Sequence, residues 1–301
     1  MSTDTILRSS GVVTTILGVI NQFQAFTNLE YSALPGSTLN AKYHVLEEES
    51  AQPKYAPTLK YFGIGTKGFY NTDLEQGSLP YPGDARNMDL YAPIPIRCVR
   101  LSELDEVLPL AERKKYRMKV IRTFNDVPYA CYYLKEITFN KTVEILKKDA
   151  DGRVTPFPID GNYLTTWLSP DPPAQDDIGD SVNTNVNRII VRATGSCEIT
   201  HDEIIEAIDA MHQGDLDFSR ISEIGYYTGY DVRTYNGTDV DRLTPEQQAG
   251  ITESMLEYEA AYVQLAKHHC FRGVELDTKE SYIKPKVTLE SECCIIEKSQ
   301  L

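Results

Sequence analysis

The chain has 301 residues, 41% of them hydrophobic and 25% charged, a balance that lets a protein bury its own core without disulfide or metal staples. Thirty basic against 44 acidic side chains give a formal charge of −14, and a surface of that sign repels phosphate, which argues against a nucleic-acid partner. Tyrosine dominates the aromatics, 19 against 9 Phe and one Trp; its apolar ring and hydroxyl suit half-buried sheet faces and protein contacts.

Gly11 to Ile20 is apolar but about half the length needed to span a bilayer. Asp4, two threonines within the run and no small-x-small site separate it from a secretion signal. It reads as a buried strand or short helix at a core edge. Leu34-Pro-Gly-Ser37 is a turn signal, and from Tyr55 to Val99 repeated Pro and Gly favour short strands joined by ordered loops. A short helical pattern covers Ser102 to Val107.

The clearest β signal follows. Tyr116 to Phe124 and Tyr129 to Ile137 bracket Asn125-Asp-Val-Pro128, with Tyr116, Met118 and Val120 alternating with Arg117 and Lys119, the pattern of a half-buried hairpin. Val143 to Leu146 and Val154 to Phe157 form a second hairpin around Asp149-Ala-Asp-Gly152. Ser169 to Asp180 combines Pro with like charge and reads as a linker or loop.

Arg188 to Thr194 reads as a strand. Thr200-His-Asp-Glu203 has the form of a capping box, with Ile204, Ile205, Ile208 and Met211 as the inner face of a helix that stops at Gly214. Thr244-Pro-Glu-Gln247 opens a second helix by the same signal. Its expected apolar stripe is Ile251, Met255, Tyr258, Tyr262 and Leu265, up to about His268. Short strand-like pieces follow at 270–276, 283–289 and 293–296. The expected fold is therefore α+β, mainly antiparallel β and sandwich-like, with a helical pair in the C-terminal half. The expected division is a β-rich domain at 1–168, an acidic Pro-rich linker at 169–184, and an α+β region at 185–301.

No motif points firmly to chemistry. Gly63-Ile-Gly65-Thr-Lys-Gly68 spells G-x-G-x-x-G, yet a dinucleotide loop must open a helix, and Gly77, Pro80 and Pro82 follow too soon. The expectation is a glycine-rich turn among Tyr61, Phe62, Phe69 and Tyr70, with a nucleotide or small-molecule enzyme using Gly63–Gly68 as the rival reading. The six cysteines form no C-x-x-C pair, consistent with a reducing compartment. His268, His269 and Cys270, with Cys293 and Cys294, are soft ligands whose adjacent spacing is wrong for a tetrahedral site; they read as helix-end histidines and buried thiols. Neither a metal nor another cofactor is expected, and no catalytic residue stands out. Arg113 to Arg122 carries six cations in ten residues, a solvated strand face or a patch that docks on an acidic partner.

Three runs, Lys60 to Asn71, Asn87 to Val99 and Tyr116 to Arg122, resemble virion structural proteins of bacteriophages with contractile tails. The likeness covers roughly residues 60 to 140. It implies a non-enzymatic tail baseplate component, or a neck or collar connector, made in the host cytoplasm. Such a subunit contacts other virion proteins and copies of itself in a symmetric assembly, with no nucleic acid, membrane or small-molecule substrate expected. The residues singled out as subunit contacts are Tyr61, Phe69, Tyr70, Arg113, Lys115, Arg117, Tyr226 and Tyr227, because Tyr and Arg dominate interface anchors.

Overall fold

The computed structural model describes residues 13–14, 39–43, 57–71, 78–140, 144–149, 151–157, 187–212, 220–274 and 282–295. The turn expected at 34–37, the linker at 169–184 and the helix stop at Gly214 lie outside them. From the N-terminus come β1 (Val13–Thr14), α1 (Leu39–Tyr43), β2 (Thr58–Gly65), β3 (Phe69–Asn71), β4 (Ser78–Pro80), β5 (Pro93–Ile94) and β6 (Arg97–Arg100). Next are α2 (Leu104–Val107), α3 (Leu110–Arg113), β7 (Tyr116–Phe124), β8 (Val127–Glu136), β9 (Thr138–Phe139), β10 (Glu144–Lys148), β11 (Val154–Pro156) and β12 (Asn187–Ser196). The last are β13 (Ile199–Thr200), α4 (His201–His212), β14 (Ile221–Tyr235), β15 (Thr238–Asp239), α5 (Pro245–Gln248), β16 (Glu257–Val274), β17 (Tyr282–Ile283) and β18 (Lys286–Ile295). The fold is α+β and dominated by antiparallel sheet, as its sequence predicts.

Two compact units emerge, and neither is continuous in sequence. Residues 1–137 with 197–284 form one, and 138–196 with 285–301 form the other. The division therefore falls at 137/138, 196/197 and 284/285 instead of at a linker around 169–184. Strand pairing is the reason: β12 pairs back with β10 and forward with β18, tying residues from both sides of that segment into one sheet.

The first unit is built on a sheet in the order β1-β16-β14-β2-β8-β6, with β7, β5 and β15 attached to β8, β2 and β14. Tyr61, Met118, Cys131, Leu134, Tyr227, Val263 and Leu265 form its core, and α4 adds Ala207 and Ala210 to it. α4 starts as its sequence predicts: the Thr200 amide donates to the Glu203 carboxylate at 2.8 Å, and the Glu203 amide donates back to Thr200 Oγ1 at 3.4 Å. Ile204 and Ile208 are fully buried. The β7–β8 hairpin also forms, with Phe124 opposite Val127. Its turn is only Asn125-Asp126, both at positive φ (50° and 63°), the mirror-image turn that matches strand twist.

The second expected helix is the main correction. Helix α5 covers one turn, Pro245–Gln248, with the capping box at Thr244 and Gln247 intact. Met255 belongs to a 3-10 turn, and Tyr258, Tyr262 and Leu265 lie in the 18-residue strand β16. β16 carries extra residues against β14 at three places, between the pairs at Ile221/Glu223, Tyr226/Tyr227 and Thr228/Tyr230. Such bulges break the two-residue alternation of a strand, and burial on both faces from Glu259 to Ala266 removes its polar marks. The remaining spacing imitates a helical stripe.

The second unit joins β11-β10-β12-β18, with β9 on β12. The β10–β11 hairpin turns at Gly152, φ 83°, with the Gly152 amide donating to the Asp149 carbonyl at 3.0 Å.

Candidate functional site

Glu223 is fully buried on β14, and the strand register dictates its neighbours. Across β16 it faces Cys270, with His268 two residues along and therefore on the same face. Across β2 it faces Gly65, and Gly225 faces Gly63. These glycines provide room: a Cβ on Gly65 would lie 2.7 Å from the Ala92 carbonyl oxygen and 2.8 Å from Glu223 Oε1. A Cβ on Gly68 would lie 2.0 Å from the Ser222 carbonyl oxygen. The glycine-rich segment thus packs against a carboxylate of the chain itself. β2 leads through a turn into β3, not into a helix.

Backbone amides converge on that carboxylate. Lys67 and Ala92 donate to Glu223 Oε1 at 2.9 and 3.1 Å, and Tyr91 donates to Oε2 at 2.7 Å. His268 Nε2 lies 3.1 Å from Oε2. Burial pushes the Glu223 carboxyl up, but the imidazole and the three amides outweigh it and hold its pKa below the usual value. The group is a stably buried anion in a cradle of N–H donors.

Cys270 Sγ lies 3.5 Å from His268 Nε2. Burial, followed by the Glu223 charge, pushes the Cys270 thiol up to about 12. Asn87 holds the other ring nitrogen, Nδ1, at 2.9 Å and also reaches the Tyr91 hydroxyl at 3.1 Å. Glu223, His268 and Cys270 place one ligand atom each within 4.8 Å of one another. In the sequence His268 and Cys270 appear only within a set with His269, Cys293 and Cys294, whose adjacent spacing reads as helix-end histidines and buried thiols and not as a metal site. His269 points to the opposite face, the side chains of Cys293 and Cys294 lie outside the described residues, and Glu223 carries no local signal in the sequence.

Above the cluster lies an aromatic surface. Tyr70 and Tyr81 ring centroids are 5.2 Å apart, Tyr81 and Tyr91 5.6 Å, and Tyr91 and His268 5.1 Å. Tyr70, Tyr81 and Tyr91 are 39–45% exposed, and Met88 in the same loop is exposed as well. Three tyrosine rings therefore run in contact across the surface and end on a buried imidazole.

The residues singled out as subunit contacts separate into two groups. Tyr61, Arg113, Arg117, Tyr226 and Tyr227 are buried within the chain, so they have no surface to offer a neighbour. Tyr70 and Lys115 are exposed and Phe69 is half-buried. The basic run is only partly solvated: Arg113 and Arg117 are buried, while Lys115 and Arg122 are exposed. Arg117 binds Asp231 through both Nε (2.7 Å) and Nη2 (3.0 Å), and Arg113 pairs with Glu257 at 2.9 Å and with Asp105. Lys119 pairs with Glu257, and Lys115 with Glu112 at 2.8 Å. Arg117 and Lys119 tie β7 to acids on β14 and β16, Arg113 ties α3 to β16, and the Lys115–Glu112 pair is local.

A cleft of about 570 Å³ opens elsewhere in the first unit, with Arg97, Lys115 and Lys135 facing Glu112, Asp202 and Glu203. Lys135 Nζ already donates to both Glu203 oxygens, at 2.7 and 3.0 Å. Among the described residues no helix is long and apolar enough to cross a membrane. The chain matches no curated protein and no solved structure. Residues 1–242 match the family of unknown function DUF7208, and because the match spans well over half of the chain, the protein belongs to that family.

Proposed function

We propose that this protein is a non-enzymatic structural subunit of a bacteriophage virion, a tail baseplate component with the neck or collar as the near alternative, and that it docks on neighbouring virion proteins through the face of Tyr70, Tyr81 and Tyr91. The observation that carries the reading is the run of three exposed tyrosine rings, each in contact with the next. Tyrosine and methionine are enriched at the centres of protein interfaces, and contiguous exposed aromatic area marks a contact site more often than scattered residues do. Tyr70 and Tyr91 also fall within the runs that carry the resemblance to contractile-tail proteins, which is what supports a virion as the setting.

The contact role is tested by replacing Tyr70, Tyr81 and Tyr91 together with Ala and following incorporation into particles by sedimentation. Hot-spot truncations typically cost more than about 1–2 kcal/mol each, so the folded variant is expected to stay in the unassembled fraction. Incorporation at the wild-type level contradicts the proposal.

The cleft lined by Arg97, Lys115 and Lys135 favours a second reading, small-molecule binding, and Gly63–Gly68 is the other place such a reading has named. At that loop the amide of Lys67 is engaged by Glu223 and that of Gly68 by Ser222 Oγ at 2.8 Å, so an incoming phosphate competes with groups already in place. A rise in melting temperature with saturating nucleotide or inorganic phosphate favours the second reading; an unchanged melting temperature favours the first.

A further inference from the structure

We propose that Glu223, His268 and Cys270 form a binding site for one divalent transition-metal ion of the zinc type, buried in the first unit. This goes beyond the docking reading and stands independently of it.

Carboxylate, imidazole and thiolate are all ligands zinc accepts, and the spacing suits it. With Zn–N and Zn–O of about 2.0–2.2 Å and Zn–S of about 2.3 Å, ligand atoms around a tetrahedral ion lie roughly 3.3 Å apart for N and O, and roughly 3.6 Å for S with either. His268 Nε2 is 3.1 Å from Glu223 Oε2 and 3.5 Å from Cys270 Sγ. Two edges of the coordination polyhedron are therefore already near their final lengths. The third, between Cys270 and Glu223, is no longer than 4.8 Å.

The surrounding groups fit the role. A metal-bound imidazole needs its other nitrogen held by a neighbour that fixes the tautomer, and Asn87 stands 2.9 Å from His268 Nδ1. Which way an amide points is assigned from its hydrogen bonds. Asn87 Nδ2 faces Nδ1 and donates to the Tyr91 hydroxyl; binding an ion at Nε2 turns the amide over, so that its oxygen accepts from Nδ1–H and the Nε2 lone pair faces the ion. The Lys67, Ala92 and Tyr91 amides hold the carboxylate in position. Charge balances too: Glu223 carries one negative charge, Cys270 gains another when its thiol proton leaves to solvent as the S–metal bond forms, and the divalent ion cancels both. No oxidation occurs. A water molecule takes the fourth position.

Metal-free protein is titrated with Co²⁺ and then Zn²⁺, and Zn²⁺-loaded wild type is examined by X-ray absorption. The expected result is one Co²⁺ per chain with a thiolate-to-cobalt charge-transfer band, its displacement by Zn²⁺, and one sulfur with otherwise nitrogen or oxygen neighbours around zinc. Cys270→Ser, with folding checked by circular dichroism, should abolish the band and weaken Zn²⁺ binding about tenfold or more. Absence of stoichiometric binding, a zinc shell with no sulfur or with several, or a band that survives in Cys270→Ser would each overturn the site. The absorption spectrum uses the unmodified protein, so it decides the question even if the variant fails to fold.

Discussion

Asp231 shows how a single residue holds this sheet. It accepts from Arg117 twice, from Tyr61 Oη at 2.6 Å and from Lys60 Nζ at 2.5 Å, while Arg117 also lies 5.5 Å from the Tyr258 ring. Burial pushes the Asp231 carboxyl up, but Arg117, Lys60 and Tyr61 outweigh it and bring its pKa to about 2. A carboxyl whose folded pKa is depressed stabilises the fold above its ordinary pKa, and that contribution disappears as pH falls through the folded value. Urea unfolding should therefore show wild type losing on the order of 2 kcal/mol between about pH 4 and pH 2 from this group, a component missing from Asp231→Asn. At neutral pH Asp231→Asn should cost about 3–5 kcal/mol, because it removes the buried Arg117's bidentate partner and leaves only Glu136, 4.0 Å away; a neutral effect would refute the ion-pair account. Glycines offer a second test. Gly68→Ala forces a methyl group into the Ser222 carbonyl and should prevent folding or cost several kcal/mol, whereas at Gly237, φ 79° with open space around it, alanine should cost only about 1 kcal/mol. Equal melting temperatures for the two variants would contradict the packing described for Gly68.

Among the elements, the β7–β8 hairpin has a turn that can be improved. Asp126 sits at φ 63° and is exposed, a conformation glycine adopts without steric cost, so Asp126→Gly should raise stability by about 0.5–1 kcal/mol by thermal melting. A loss of stability would mean that the Asp126 side chain contributes more than its backbone strain. This hairpin, the β10–β11 hairpin and the α4 capping box were all legible in the sequence because each is specified by neighbours within about a dozen residues. β16 was not, since its bulges and its burial on both faces are consequences of pairing with β14. The Glu223 cluster was hidden for the same reason. His268 and Cys270 share a face only if their segment is a strand, and Glu223 joins them only through a register some 45 residues away in sequence. The G-x-G-x-x-G pattern reads as a turn, but Gly63 and Gly65 lie within β2 and only residues 66–68 turn; the reason for the glycines, room for a buried carboxylate, depends on that same register.

For the molecule as a whole, an acidic chain with a net charge of −14 pairs much of its basic run internally, Arg117 with Asp231, Lys119 with Glu257, and Arg113 with Glu257 and Asp105. In the proposed docking role, recognition rests on the exposed tyrosine face of Tyr70, Tyr81 and Tyr91 more than on positive charge. Contact through that face should depend only weakly on salt, unlike binding through a basic stripe. The most direct test is to place a photo-crosslinking amino acid at Tyr81, irradiate assembled particles and lysate, and identify the joined peptides by mass spectrometry, with the exposed Met255 position as the comparison. Crosslinks from position 81 to other virion subunits or to copies of this chain, and far fewer from position 255, are the predicted result. A protein that stays free of particles, or that crosslinks equally from both positions, would contradict the proposal that the tyrosine face is where this protein meets its neighbours.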